Sequence, residues 1–163
     1  MRQAAVAVFA LLVFALGSSA SALDSPKVIN LLDISRQDVQ PINGFTFNRL
    51  PRAGDQFPIH DDLYKWAPGG KRGALAGGVE GIGEFQFVGE HNAKVLFFAQ
   101  ARLQGGSVVA QGMGLVRFEG PSTFTLPIVG GTGIYANARG YVVVRDLGNG
   151  NGDKSNAAFH LLP

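Results

Sequence analysis

The sequence contains no cysteine. A chain without cysteine forms no disulfide bond, has no thiol nucleophile and cannot build a thiolate metal site. Its three histidines, His60, His91 and His160, stand far apart, without the short spacing of histidine metal motifs. We therefore expect no metal ion and no cofactor, and the apolar core alone must stabilise the fold.

The chain also lacks a large excess of charge of one sign. The chain has 14 lysines and arginines against 12 aspartates and glutamates, a formal net charge of +2. Proteins that bind nucleic acid neutralise phosphates with a basic stripe or patch, and no such stripe is present. We therefore expect no nucleic-acid partner.

Long apolar runs are limited to the N-terminus. An uncharged apolar run at 4–16 follows Arg2, and small residues lead from it to Ala22. The run is shorter than the roughly 20 residues of a membrane-spanning helix. This order predicts a signal peptide at 1–22, followed by one domain at 23–163. We expect a secreted, extracellular protein (apoplastic in a plant) with no membrane attachment after cleavage.

Helical periodicity is missing from the predicted domain, and alternation of apolar and polar residues replaces it. In "GVEGIGEFQFV", Val79, Phe85 and Phe87 share one face, and Glu80 and Glu84 share the other. A period of two is typical of half-buried strands. Short connections favour antiparallel pairing of sequence neighbours, so we predict an all-β, eight-stranded antiparallel up-and-down β-barrel. The predicted strands are 27–34, 57–66, 78–88, 93–103, 107–119, 123–129, 141–147 and 155–163.

Glycine marks both the strands and their breaks. Four glycines lie at alternate positions on single strand faces, which predicts close approach inside a small barrel. A loop is predicted at 35–56, a break at 67–73 and a tight turn at 148–153. The four glycines on strand faces are Gly81, Gly83, Gly112 and Gly114.

A G-x-G-x-x-A sequence at Gly131, Gly133 and Ala136 has the spelling of a dinucleotide-binding turn. That fingerprint requires a helix after the glycines and then a returning strand. Too few residues separate Gly133 from the β-branched run at 142–144 for a helix. We therefore predict a glycine turn between adjacent strands.

The same stretch carries a family resemblance. "PIVGGTGIYANARGY" at 127–141 resembles the dirigent-protein signature P-V-V-G-G-T-G-x-F-x-x-A-R-G-Y. "AGDQFPIHDDLYKW" at 53–66 is similar to the G-D-L-V-P-F-x-N-x-L-Y segment of allene oxide cyclases, which share the dirigent fold. The likeness covers residues 54–162 and implies a small eight-stranded barrel that assembles as a trimer or dimer.

The dirigent resemblance implies a pocket lined by the arginine of A-R-G-Y and by an aspartate of the D-D-x-L segment. Here these residues are Arg139 and either Asp61 or Asp62. Arg139 would steady a phenolate, or would hold Asp61 ionised by pairing with it. A buried aspartate with a raised pKa would instead protonate a quinone methide. The two roles of the aspartate require opposite pKa shifts.

The cyclase resemblance adds further candidates. "LLDIS" at 31–35 falls where the cyclases carry Y-E-I-N, so Asp33 and Ser35 align with their glutamate and asparagine. Glu80 aligns with the third cyclase residue that acts on the substrate, a cysteine on a strand. The strand cysteine of the cyclases is missing. Candidate catalytic residues are Arg139, Asp61, Asp62, Asp33 and Glu80, and candidate substrate-binding residues are Tyr135, Tyr64, Phe97 and Phe85.

Three functions fit these residues. The first is a secreted dirigent-like protein that orients phenoxy radicals, made by a separate oxidase such as a laccase or peroxidase, for stereoselective coupling. The second is a stand-alone cyclase that resembles allene oxide cyclase, and the missing cysteine counts against it. The third is a passive, lipocalin-like carrier. All three expect a small aromatic or apolar molecule in the barrel.

Overall fold

The computed structural model describes residues 25–36, 42, 45, 49–148 and 154–162. The predicted signal peptide at 1–22 lies outside the described residues, as does most of the turn predicted at 148–153. No helix in the described part of the chain is long and apolar enough to cross a membrane.

Eight strands form one closed barrel in which each strand pairs with its sequence neighbours and the last pairs with the first. Every pairing is antiparallel, so the predicted up-and-down β-barrel is confirmed. The strands are β1 (Lys27–Ser35), β2 (Gln56–Ala67), β3 (Lys71–Val88), β4 (Asn92–Leu103), β5 (Gly106–Arg117), β6 (Thr123–Gly133), β7 (Arg139–Asp146) and β8 (Lys154–Leu162).

Two local expectations need correction. The predicted break at 67–73 is shorter than expected, because a single 3₁₀ turn at Pro68–Gly70 suffices and β3 begins at Lys71. Gly69 makes this turn at a φ of 73°, a left-handed conformation that glycine adopts without a Cβ clash. Phe87, expected on the face of Phe85, is exposed instead, since a bulge between them reverses the alternation.

The predicted turn between antiparallel strands is present, but it follows the glycines of the motif, because Gly131 and Gly133 belong to β6 and pair with β5. β6 ends at Gly133 and β7 begins at Arg139. Between them, the Tyr135 N–H donates to the Thr132 carbonyl at 3.1 Å, and the Ala138 N–H donates to the Tyr135 carbonyl at 2.9 Å. A turn of this kind has no helix to hold a pyrophosphate, so the dinucleotide interpretation is excluded.

The core fills the barrel with inward-facing side chains from every strand. Residues two apart on a strand point to the same face, so one buried residue fixes the direction of its neighbours. The core includes Leu31 of β1, Leu63 of β2, Val95 of β4, Val142 of β7 and Phe159 of β8.

Inward glycines make room for phenylalanine rings in this core. A Cβ added to Gly114 would lie 2.7 Å from a ring carbon of Phe97 and 2.9 Å from one of Phe124. A Cβ at Gly83 would overlap the ring of Phe57. Both distances are too short for real Cβ contacts, so these positions admit glycine because aromatic rings occupy the space opposite them.

Candidate functional site

In the described part of the chain, polar side chains interrupt the apolar interior where β1, β2, β7 and β8 adjoin. Leu31 and Leu63 face the core, so the alternation turns Asp33 and Asp61 inward as well. Asp33 lies opposite Leu63 in the β1–β2 register, and Asp61 lies opposite Ser35. The two aspartates are therefore diagonal neighbours, with backbones about 7–8 Å apart.

The two carboxyl oxygens of Asp33 have different surroundings. The Ser155 hydroxyl donates a hydrogen bond to Asp33 Oδ2 at 3.0 Å, across the β1–β8 register that pairs these residues. Asp33 Oδ1 is fully enclosed, and it has no hydrogen-bond partner among the described residues. An enclosed polar atom without a partner is costly in a folded protein, and the cost is larger for an ionised oxygen than for a neutral one.

Burial raises the pKa of Asp33 from its ordinary 3.8 to about 8. The negative charge of Asp61 adds to this effect, and the Ser155 hydrogen bond opposes it. A carboxyl group with this pKa is predominantly neutral at pH 7 and can donate a proton.

The pKa of Asp61 is also raised, chiefly by burial. A side-chain hydrogen bond from Ser35 and the nearby His60 lower it, and the charge of Asp62 raises it. Two buried carboxyl groups this close disfavour simultaneous ionisation, so they titrate as a pair that retains one proton over a wide pH range. Such a pair offers an acid and a base in one site.

Asp62 and Tyr64 lie on the outer face of β2, away from this pair. Asp62 follows the inward Asp61, and it accepts a hydrogen bond from the Tyr64 hydroxyl at 3.1 Å. The guanidinium of Arg72 lies 5.0 Å from the centre of the Tyr64 ring. Asp62 and Tyr64 therefore belong to the outer surface of β2, and neither side chain is part of the carboxyl pair.

Glu80 is on the outer face of β3, between the inward-facing Val79 and Gly81. It forms an ion pair with Arg102 of β4, and both side chains are exposed. The expected approach of Glu80 to the aspartates does not occur, because the alternation along β3 turns its carboxylate to the surface.

Arg139 lies at the start of β7, far from the carboxyl pair. Asp146, seven residues further along β7, is opposite Ser155, which in turn is opposite Asp33. At about 3.3 Å per residue, Arg139 lies roughly 23 Å along the strand from that position. Its side chain is exposed, since Val142, three residues on, faces the core. The expected pairing of Arg139 with Asp61 is therefore wrong.

Around Arg139 the surface forms a shallow cleft with a volume of about 210 Å³. This cleft is separate from the carboxyl pair and holds no other charged side chain. Its lining residues are Val129, Gly130, Gly131, Asn137, Ala138 and Arg139.

Tyr135 belongs to the turn between β6 and β7, and it closes this same end of the barrel. Its side chain is 3% exposed and packs in the core, and burial raises its pKa. The Tyr135 hydroxyl lies 3.5 Å from the Gln104 carbonyl, at the outer limit of a hydrogen bond.

Phenylalanine rings form an inward-facing cluster further along the barrel from the carboxyl pair, on the side away from Tyr135. Phe57 faces inward on β2, four residues before Asp61, or about 13 Å along the strand. Its ring centre lies 5.3 Å from that of Phe85 and 6.3 Å from that of Phe97. Phe97 stacks on Phe124 with centres 4.7 Å apart and planes at 8°. Phe85 and Phe97, the predicted substrate-binding phenylalanines, thus belong to one aromatic wall.

Ser155 is the functional residue that sequence reasoning missed. The signal was present, because Ser155 alternates with Ala157, Phe159 and Leu161 as the one polar residue on an apolar strand face. Its partner Asp33 lies 122 residues away in the chain, so this contact required the closure of the barrel.

Metal binding finds no support in this region. In the residues that the structure describes, no three histidine, aspartate or glutamate side chains come close enough together to hold a metal ion. The polar groups of the site are the carboxyl groups of Asp33 and Asp61 and the hydroxyls of Ser35 and Ser155.

The solved structures that match this chain include dirigent proteins, so the resemblance seen in the sequence is confirmed at the level of the fold. No protein-family model and no curated protein sequence matches the chain. Solved structures do match it, at sequence identities that establish the fold alone.

Three of these structures illustrate the range. A pyocyanin demethylase is 22% identical with a TM-score of 0.63, over 82% of this chain and 99% of the other. A pterocarpan synthase dirigent protein is 16% identical with a TM-score of 0.61, over 85% of this chain and 94% of the other. A nonspecific heme-binding cyclase that catalyses a [4+2] cycloaddition during neoabyssomicin biosynthesis is 14% identical with a TM-score of 0.59, over 84% of this chain and 65% of the other.

Proposed function

We propose that this chain is a dirigent-like protein that binds a small phenolic molecule inside the barrel and directs the stereochemistry of a bond formed there. The observation that carries the proposal is the buried pair of Asp33 and Asp61, in which Asp33 is neutral at pH 7. The aromatic wall supports it, because rings stack favourably on Phe57 and Phe97. The structural likeness to dirigent proteins agrees with it.

Radical formation belongs to a separate oxidase, a laccase or a peroxidase. That oxidase removes one electron and one proton from each of two phenols, and the two radicals join through a new carbon–carbon bond to give a quinone methide. The contribution of this protein to coupling is to hold the two rings in one orientation, which lowers the barrier without covalent catalysis.

The carboxyl pair acts in the ring closure that follows. Asp33 donates its proton to the carbonyl oxygen of the quinone methide while a hydroxyl of the same molecule adds to the methide carbon. Asp61, as the carboxylate, accepts the proton of that hydroxyl. The products are a phenol and a cyclic ether, and no electron is gained or lost. General acid–base help of this kind accelerates a reaction by roughly 10²- to 10⁴-fold.

A stand-alone cyclase is the second candidate. The carboxyl pair favours it, because an acid and a base in one site need no oxidant. Two structural neighbours are described as a pterocarpan synthase and as a cyclase. This candidate predicts turnover of an unstable epoxide or polyene without any oxidase, whereas the first predicts stereocontrol that depends on one.

Assembly and location complete the proposal. The protein acts outside the cell after removal of its signal peptide, as a homo-oligomer. The outer face of β3–β5 offers an apolar contact surface, where Ile82 is 41% exposed, Phe98 47% and Met113 48%. Ile82 and Phe98 are directly opposite in the β3–β4 register. Contiguous apolar surface of this kind is typical of interfaces.

The test is a coupling assay with chiral analysis of the products. Coniferyl alcohol is oxidised by a laccase alone, with the purified protein, with Asp33→Asn, or with Glu80→Gln. Glu80→Gln is the matched control, since it neutralises a carboxylate on the outer face. We expect one enantiomer in excess with the wild type and the control, and slower formation of the ring-closed product with Asp33→Asn. A racemic product in all four arms, repeated with other monolignols, would reject the dirigent function. Unchanged recovery of a bound molecule would indicate a carrier.

A further inference from the structure

Ser155 and Asp33 form a hydrogen bond whose direction decides where the acidic proton resides. Ser155 is 8% exposed, and its hydroxyl donates to Asp33 Oδ2 at 3.0 Å. A neutral carboxyl group has one oxygen that carries the proton and one that accepts hydrogen bonds. An oxygen that already accepts from a serine hydroxyl is the carbonyl oxygen, so the proton belongs on the other oxygen.

We infer that Ser155 is a positioning residue that keeps the acidic proton of Asp33 on Oδ1, the oxygen without a hydrogen-bond partner. The inference rests on the proposed function, in which Asp33 is the proton donor. Asp33 Oδ1 has no partner among the described residues, so a proton held there is not committed to another group of the protein. If the hydrogen bond ran in the opposite direction, Asp33 would donate its proton to the Ser155 hydroxyl. Asp33 Oδ1 would then carry no proton, and it could act only as a hydrogen-bond acceptor or as a base.

The groups that face Asp33 determine how firmly this arrangement holds. Asp61 faces it from β2, and its charge raises the pKa of Asp33. Asp146 faces inward from β7 on the far side of Ser155, where its Oδ1 accepts a hydrogen bond from the Gly148 N–H at 2.8 Å. Asp146 is therefore held in place by its own turn. Ser155 lowers the pKa of Asp33, whereas burial and Asp61 raise it.

Loss of the hydroxyl has an effect that simple loss of packing would not produce. Without the Ser155 hydrogen bond, the ionised form of Asp33 loses a donor, and its pKa rises further. Hydrogen bonds to charged groups contribute about 1.5–3 kcal/mol, which corresponds to a shift of roughly 1–2 pH units. A threonine at this position keeps the hydroxyl and should restore the pKa.

The experiment is a carboxyl carbon NMR titration of Asp33 in the full protein, with no substrate present. The variants are Ser155→Ala, Ser155→Thr and the control Ser107→Ala, which removes another buried hydroxyl, one that bonds to Thr132. We expect the pKa of Asp33 to rise by roughly 1–2 units in Ser155→Ala and to stay at the wild-type value in the other two. An unchanged or lowered pKa in Ser155→Ala overturns the positioning role.

The coupling assay separates this inference from the proposed function. If Ser155 positions the proton, Ser155→Ala should lower the rate of stereoselective ring closure by at least about 10-fold and move its alkaline limit upward in pH, and Ser155→Thr should restore both. A pKa that rises in Ser155→Ala, with only racemic product from the wild type, supports the positioning role and rejects the proposed function. A pKa that does not move rejects the positioning role, whatever the products are.

Discussion

Replacement of Asp33 by asparagine should change how the stability of this protein depends on pH. In the unfolded chain the pKa of Asp33 is its ordinary 3.8, and in the folded protein it is about 8. Between these values the folded protein holds a proton that the unfolded chain releases. The free energy of unfolding of the wild type should therefore fall as pH rises, by about 1.4 kcal/mol per pH unit.

The size of the effect follows from the width of this window. From 3.8 to 7 the wild type loses about 4 kcal/mol, a large part of the roughly 5–15 kcal/mol that stabilises an ordinary domain. Asparagine has the shape of the neutral carboxyl group and does not ionise. The two proteins should differ least near pH 4, and Asp33→Asn should become the more stable one as pH rises.

Urea unfolding at a series of pH values from 4 to 8.5 measures this difference directly. Glu80→Gln serves as the control, because it removes an outer-face carboxylate and should follow the wild type. The burial argument fails if the curves of wild type and Asp33→Asn run parallel across this range. It also fails if the wild type gains stability relative to the variant as pH rises, since that would mean that Asp33 is ionised in the fold.

Three further outcomes test the packing, the site and the assembly. Gly83→Ala should lower the free energy of unfolding by about 1–3 kcal/mol in urea denaturation, since its Cβ would overlap the Phe57 ring. Arg139→Ala should leave product chirality unchanged in the coupling assay, because Arg139 is on the outer surface; lost stereocontrol would contradict that placement. Phe98→Lys should shift the protein towards the monomer in analytical ultracentrifugation, while the control Val129→Lys, on another exposed apolar side chain, should not.

Strand order could be predicted from the sequence, because alternation and short connections are local signals. The face of β7 on which Arg139 lies could not be predicted. Its direction depends on how many residues the turn after Gly133 takes before β7 resumes pairing, and a one-residue change reverses every side chain of the strand. The contact of Ser155 with Asp33 needs β8 to close against β1, and no pattern within either strand reports that register.

Arg139 lies far from Asp33 and Asp61, and this distance strengthens the case for acid–base chemistry at the carboxyl pair. A guanidinium beside Asp33 and Asp61 would favour ionisation of both carboxyl groups, and the site would then hold no proton near pH 7. In the described structure His60 lowers the pKa of Asp61, and no cation contributes to the pKa of Asp33. Burial therefore dominates, and loss of the first proton from the pair makes loss of the second harder. The same site consequently presents a carboxylic acid and a carboxylate together, which is the combination that a redox-neutral ring closure requires.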